Sequence, residues 1–439
     1  MPKHTRVYYD LPNLKIPEVP LELESTSYQL EELKPYYWHF FNGSIGETSI
    51  YIFLQLPLVL RSIESMACFV VAFKLLSNCD QSIKFLHSSY AISISLSTRG
   101  LDLFLDRFRE VLDLFSANST YLFKPSILKD HYPRELQCLG MHSLPYIETL
   151  IWNTYVHGRH NSYEYLSSQS FTSENLLDAK GSLKRLTYSV LISGSFTKAT
   201  IDSISTLMDE HFSKETIIET SHSNLGLLNQ TLVYFFKSSL HFTVYSVIID
   251  HCDIPKLALF QYFFSVSSLY FVDLVENKEH YGVVQCLCED FYSNPGIKFY
   301  IESVNDPLLA EARIKSFIDV ELDSYINALS ESRILELQAV ALHNLKSSAD
   351  SASRTSKIWN YFIQTGNINS FNLILENLAS LTAQQLKDGL FSILAEVKKK
   401  EMSISIHIWN KEVATSRGFT ASLDTYPHDV DRRVNYASL

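Results

Sequence analysis

The chain has 439 residues, room for two or three domains at roughly 150 residues each, and its 46% hydrophobic against 19% charged residues support a sizeable buried core and exclude global disorder. Glycine is scarce (13 residues, about 3% against a usual ~7%), and neither G-x-x-x-x-G-K-[ST] nor G-x-G-x-x-G occurs, which puts P-loop and dinucleotide folds out of the front rank. A net charge of −11, from 37 Lys and Arg against 48 Asp and Glu, argues against nucleic acid as the ligand, because phosphate contacts need a basic face.

In chain order, residues 1–25 carry Pro2, Pro12, Pro17 and Pro20 and read as an extended lead-in. No apolar signal core is present there, so secretion is not indicated, cytoplasm is the default expectation, and the N-x-[ST] sites at Asn42, Asn118 and Asn229 are expected to be idle. Two apolar stretches resemble membrane segments only in part. Ser49–Leu60 is short and contains Pro57. Leu257–Val272 is interrupted by Gln261, Ser265, Ser267 and Ser268 and falls short of the ~20 residues of a span, so both are expected to be buried core.

A long internal repeat organises the remainder. Ile92, Ile94 and Leu96 alternate as in a strand, a turn follows at Arg99–Gly100, and Leu101, Leu105, Phe108, Leu112 and Phe115 take up a helical period. Beginning 206 residues after Ala91, Ile297–Leu322 repeats the pattern, with its turn at Asn305–Pro307. Ile151-Trp152-Asn153-Thr154-Tyr155-Val156 is answered 207 residues on by Ile358-Trp359-Asn360-Tyr361-Phe362-Ile363. Alternating strands at Leu186–Phe196 and Met402–Trp409 close the two units. This predicts two tandem, homologous α+β domains, 26–213 and 228–412, joined by a linker at 214–227 and followed by a polar tail at 413–439. A period this long means duplication of a domain rather than a solenoid.

Few residues carry recognisable catalytic chemistry. None of the fifteen histidines is followed by glutamate, and H-x-x-E-H is absent; the nearest approach, His131-Tyr132-Pro133-Arg134-Glu135, has no second histidine. His157-Gly158-Arg159-His160 reads as a solvated turn, since nothing nominates a third metal ligand. His251-Cys252-Asp253 and Cys286-Leu287-Cys288-Glu289 contain soft ligands. In a strand, however, C-x-C puts both thiols on one face, where small buried cysteines are common. Six scattered cysteines form no disulfide framework. No G-x-S-x-G occurs, and Gly194-Ser195 reads as a turn at a strand end. The pairs Glu31-Glu32 and Asp209-Glu210 read as solvated. The 27 Phe and 25 Tyr, with the run Tyr262-Phe263-Phe264, point to thick helix-on-sheet packing or a buried interface.

With the repeat defined, Asn277-Lys278-Glu279-His280-Tyr281-Gly282-Val283 resembles the segment R-x-K-E-Q-x-G-Y from the C-terminal half of M16 metallopeptidases of the insulin-degrading enzyme (insulysin) and pitrilysin group. The strand and helix at Ile297–Leu322, the run Ile334–Leu342, the Lys357–Tyr361 helix, the helix start Leu381-Thr382-Ala383-Gln384-Gln385-Leu386 and the strand Ser403–Trp409 follow in the order of that family. Upstream, Thr26–Gly46 followed by an apolar strand resembles the opening of the family's third domain and Val190–Phe196 its closing strand; the resemblance spans about Leu11 to Lys411. It implies two M16-type (LuxS/MPP-like) domains, each a mainly antiparallel sheet packed with helices. Full-length relatives have four such domains forming a clamshell, with zinc in the first on H-x-x-E-H and a distant glutamate. This chain resembles the third and fourth alone. Zinc is therefore expected only on a partner half and no cofactor in this chain.

In the family, the arginine and tyrosine of the motif reach the substrate and the reacting carbonyl. Glu276 stands at the arginine position and Val283 at the tyrosine position, while Lys278, Glu279 and Gly282 are retained and His280 replaces glutamine. Losing donors aimed at developing negative charge costs orders of magnitude in rate, so the chain alone is expected to be inactive. The leading expectation is a non-catalytic half that binds a zinc-bearing M16 half, a homologous M16 subunit or a peptide, with no nucleic acid and no membrane span. The alternative is one half of a split zinc metalloendopeptidase, active on peptides only with a separate H-x-x-E-H-bearing N-terminal half. A paralogue without selected activity is a third reading.

Overall fold

The computed structural model describes residues 29–34, 37–41, 48–55, 83–87, 91–98, 187–194, 198–212, 230–236, 239–249, 253–291, 294–347, 351–365, 367–400 and 403–416. Described residues within Ser25–Leu225 and Ala349–Ile363 form one compact unit, and those within Gly226–Ser348 and Gln364–Leu439 form another. The helical period expected from Leu101, the Ile151–Val156 segment, His131–Glu135, His157–His160, His251–Cys252, Ser195, and the linker and tail from 417 onward lie outside the described residues.

The first unit is built on a six-stranded sheet: β1 (Gln29–Lys34), β2 (Tyr37–Phe41), β3 (Thr48–Gln55), β4 (Ile83–His87), β5 (Ala91–Thr98) and β6 (Thr187–Ser193), in the order β1-β2-β6-β3-β5-β4. Strand alternation sends Ile50, Ile52 and Leu54 to one face. There they register with Ile192, Val190 and Tyr188 on one side and Leu96, Ile94 and Ile92 on the other. Helix α1 (Lys198–His211) covers that face with Ile201, Ile204, Leu207 and Met208 buried. Asp209, expected to be solvated, instead accepts a 2.5 Å hydrogen bond from the Tyr188 hydroxyl. The opposite face, bearing Tyr51 and Phe53, receives Trp359, whose ring lies 6.0 and 6.4 Å from theirs. Thr355 and Ser193 share a 2.9 Å hydroxyl bond on the same face. Residues 351–363 of helix α6 (Ser351–Thr365), drawn by the repeat into the 228–412 domain, thus complete the sheet of the first unit.

The second unit repeats the topology. Its strands β7 (Gln230–Phe236), β8 (His241–Ile248), β9 (Val283–Phe291), β10 (Asn294–Ser303) and β11 (Ser403–Asn410) lie in the order β7-β11-β8-β10-β9. β11 runs parallel to β7 and antiparallel to β8, as β6 runs parallel to β2 and antiparallel to β3. The duplication read from the sequence is therefore a duplication of strand order.

The helices of this unit are α2 (Ile254–Phe271), α3 (Pro307–Ser316), α4 (Leu322–Ala328), α5 (Glu331–Lys346), α7 (Ser370–Ser380), α8 (Ala383–Lys399) and α9 (Lys411–Ser416). π-helical segments at Val272–Lys278 and Phe317–Glu321 extend α2 and join α3 to α4. Helix α2 begins where Asp253 accepts the Lys256 N–H at 2.9 Å, and α8 begins at a reciprocal Thr382–Gln385 capping box. α2 packs against α5, α7, α8 and β9. It is buried nearly all round, which is why its sequence shows no single apolar stripe. Ile254–Lys278 is long and apolar enough to cross a membrane, yet 67% of its most apolar window is buried within the chain. Two of the polar interruptions turn to β9: Gln261 Nε2 lies 3.6 Å from Cys288 Sγ, and Ser268 donates to the Cys286 carbonyl at 3.4 Å. Val284, Cys286 and Cys288 of β9 face inward while Val283, Gln285 and Leu287 face out, so both thiols share one face. Burial pushes the Cys286 thiol well up, consistent with an inert core cysteine.

Candidate functional site

The segment that carries the family resemblance is where α2 gives way to β9. Its π turns are closed by the Glu279 N–H to the Leu274 carbonyl at 3.1 Å, and the Tyr281 N–H then reaches the Val275 carbonyl at 3.0 Å. The chain reverses through His280, at φ +53°, and Gly282, at φ +142°. Only glycine adopts the second conformation freely. A Cβ on Gly282 would lie 2.2 Å from the Glu302 carbonyl oxygen of β10. That close approach is what lets Val283 enter the β9–β10 ladder opposite Glu302.

The six candidate residues are not gathered into one cluster. Glu276 Oε2 accepts the Val284 N–H at 3.4 Å, so the carboxylate at the family's arginine position caps the start of β9. Lys278 turns back onto Asp273 at 2.7 Å. Glu279 points the other way, onto α3, where Arg313 Nε and Nη2 donate to its two oxygens at 2.7 and 2.9 Å. His280 is exposed, and Val283 is 48% exposed with no hydroxyl to offer. Gly282 serves the backbone alone.

Sequence reasoning missed Arg313 and Glu321. Arg313 is 13% exposed, holds Glu279 in a fork and lies 3.4 Å from Glu321 Oε1. Burial alone would lower its pKa; the bond and charge of Glu279 outweigh that and raise it. No local signal marks this arginine, because its partner is 34 residues away in the chain. Arg313→Met is expected to lower the stability of the second unit by about 2–3 kcal/mol, since it leaves two partly buried carboxylates without their cation. Arg313→Lys, keeping charge but losing the fork, should lose about half of that. Urea denaturation of the full chain measures both, and equal losses would contradict the forked pairing.

A second polar cluster lies between α3 and the sheet. Glu311 Oε1 accepts from Ser405 Oγ at 2.9 Å, its Oε2 lies 2.6 Å from Nε2 of the fully buried His407, and Lys315 Nζ approaches at 2.5 Å. Ser405 of β11 donates to this carboxylate of α3, so the group ties the helix to the sheet. Among the described residues no group of three His, Cys, Asp or Glu side chains could hold a metal ion.

An α+β unit of this strand order, repeated in tandem, defines the M16 peptidase fold, and solved structures place the chain there. It is similar to pitrilysin at TM-score 0.63 and 14% identity, covering 92% of this chain and 45% of that one. It is also similar to a protease from Helicobacter pylori, at TM-score 0.61 and 11% identity, over 87% of this chain and 99% of that one. A further match is the inactive domain of a peptidase M16 from Pseudomonas fluorescens, at TM-score 0.60 and 12% identity, over 88% and 98% of the two chains. The chain thus spans less than half the length of pitrilysin. No family model matches the sequence, and no curated protein matches it.

Proposed function

We propose that this chain is a non-catalytic half of the M16 type, equivalent to the third and fourth domains of an insulysin-like clamshell, which binds a zinc-bearing half or a peptide enclosed with it. The observation that carries this reading is the use made of Glu276. Where the family places an arginine for the substrate, this carboxylate is engaged by the Val284 N–H, and the neighbouring Val283 has no proton to donate. Neither position can stabilise negative charge on a tetrahedral intermediate. The absence of H-x-x-E-H from the sequence and the likeness to a domain described as inactive support the same reading.

The second reading, a split peptidase, draws on the coverage of pitrilysin, which leaves more than half of that protein unmatched. One experiment separates the two. Native purification of the full chain, followed by mass spectrometry, is expected to recover a stoichiometric protein carrying H-x-x-E-H. Cleavage of fluorogenic peptides by that protein should then proceed at the same rate with and without this chain. A rate that rises at least tenfold on mixing and vanishes with a chelator establishes the split peptidase instead. A monodisperse chain without such a partner, and without retained peptide, overturns the proposal.

A further inference from the structure

β9 is the outer strand of the second unit's sheet and pairs with β10 alone among the described strands. An exposed strand edge invites another strand, and folded chains blunt such edges with short length, lysine, proline or a bulge. The other described outer strands are protected in this way or covered. β1 is charged and shifts register between Glu32 and Lys34, β4 has five residues including Lys84, and α9 packs on β7. β9 has no such device. Its nine residues contain no lysine or proline and pair in unbroken register from Phe291–Asn294 to Val283–Glu302. On its outer face Gln285 is exposed, Val283 is 48% exposed and Leu287 is 44% exposed.

Hydrogen bonds show which backbone groups point off this edge. The Val284 N–H goes to Glu276 Oε2 rather than to β10, and the Cys286 carbonyl accepts from the Ser268 hydroxyl, each at 3.4 Å. In an antiparallel pair, alternate residues turn both N–H and C=O away from the neighbouring strand. Val284 and Cys286 therefore present a donor and an acceptor each, at the spacing an added antiparallel strand meets. Both existing bonds are longer than the ~2.9 Å of a strand hydrogen bond, and a carbonyl keeps a second lone pair. An incoming backbone thus displaces only the Glu276 contact.

Charge and side chains select the occupant. Among the described residues neither Glu276 nor Glu302, at the start of the strand, has an ion-pair partner. Glu302 accepts from the Tyr300 hydroxyl, while the nearby cations Lys278 and Arg313 are held by Asp273 and Glu279. β9 itself has no cation and carries Glu289-Asp290 near its end. A second copy would bring the same acidic strand, on a chain of net charge −11, against this one. We propose that the edge of β9 is a strand-addition site, which rests on the peptide-binding form of the function proposed above: it takes an extended peptide with cationic ends and apolar side chains beside Val283 and Leu287. Glu276, released from Val284, then meets a cation of the peptide.

The test uses the full chain and the fluorescein-labelled peptide Lys-Val-Thr-Val-Thr-Leu-Lys. In antiparallel register its leucine and first valine lie beside Val283 and Leu287, and its threonine N–H groups face Val284 and Cys286. Fluorescence anisotropy is expected to show saturable binding, weakened about tenfold or more by N-methylation of the two threonines or by replacement of both lysines with glutamate. Leu287→Lys, at an exposed position, should weaken binding to a similar degree and leave the urea midpoint unchanged. Hydrogen exchange in β9 should slow when the probe is bound. Equal binding of the parent, N-methylated and acidic probes, no binding of any, or unchanged exchange in β9 overturns the strand-addition site. Protection of β9 that rises with chain concentration in the absence of the probe assigns the edge to a second copy and overturns it as well. Recovery of an H-x-x-E-H protein or of retained peptide from native purification is read separately, so these outcomes leave the function proposed above standing.

Discussion

Gly282→Ala is expected to destabilise the second unit by about 3 kcal/mol, even though it adds a single methyl group. Two costs add. The backbone stands at φ +142°, a conformation that side-chain-bearing residues avoid. The added Cβ would also lie 2.2 Å from the Glu302 carbonyl oxygen and 2.8 Å from Ser303 Cβ. The first of these atoms belongs to the backbone of β10, which is held on its other side by β8, so the turn must move instead. Moving it draws Val283 and Val284 away from Glu302 and Ile301, loosens the Val284–Glu276 bond and shifts Glu279 against Arg313. Gly389→Ala is the control. Its Cβ would meet the Leu259 side chain, Cδ2 at 2.4 Å and Cδ1 and Cγ at 3.2 Å, a flexible neighbour rather than backbone. Alanine recovers up to about 1 kcal/mol of helix propensity there, so the net change should be close to zero. Urea denaturation with hydrogen exchange across β9 and β10 distinguishes them. A Gly282→Ala chain within about 0.5 kcal/mol of the parent would show that the turn is looser than its geometry implies.

What the sequence disclosed, and what it withheld, follows from the range of the interactions involved. Strand alternation is local, so β5, β6, β10 and β11 were legible, and their common offset exposed the repeat that the strand orders of the two sheets now display. The amphipathic pattern of α6 announces that Trp359 and Phe362 are buried. It does not say against which sheet, because a helix face specifies chemistry and not address. Its place on Tyr51 and Phe53 depends on contacts some 300 residues apart in the chain. The π turns were illegible for a related reason: Val-Asp-Leu-Val-Glu continues an ordinary helical pattern, and the widening is settled by what packs upon it. At the candidate site the motif residues Glu276, Lys278, Glu279, His280, Gly282 and Val283 could be named from order alone. Their partners could not. Arg313 holds Glu279 from another helix, and nothing in LLAEARIKSF separates it from a solvated arginine.

Acid should release α3 from the sheet through Glu311. Burial by itself would raise this carboxyl, but the hydrogen bond and charge of His407, and then those of Lys315, outweigh it and hold the pKa down to about 2. Because the folded pKa is depressed below the ordinary 4.5, the stabilisation is fully present above about pH 4.5 and is lost as pH falls from there through about 2. A difference of this size corresponds to about 3 kcal/mol, present at neutral pH and absent in strong acid. Glu311→Gln should therefore cost about 3 kcal/mol at neutral pH, because it leaves His407 and Ser405 facing an uncharged amide inside the fold. It should also flatten the acid limb of the stability profile. The group to watch is local. Glu311 meets Ser405 and His407 from β11 and Lys315 from its own helix, while Lys315 lies 5.2 Å above the Tyr245 ring of β8. Tyr245 itself is raised by burial and carries no charge in acid, so the loss belongs to the carboxylate. Hydrogen exchange in peptides covering α3 and β11, taken from neutral pH downward, should show protection falling in the parent chain ahead of that in α8, and unchanged in slope between the two regions in Glu311→Gln. Parallel loss in both chains would mean that acid acts on the second unit as a whole and that Glu311 is a bystander.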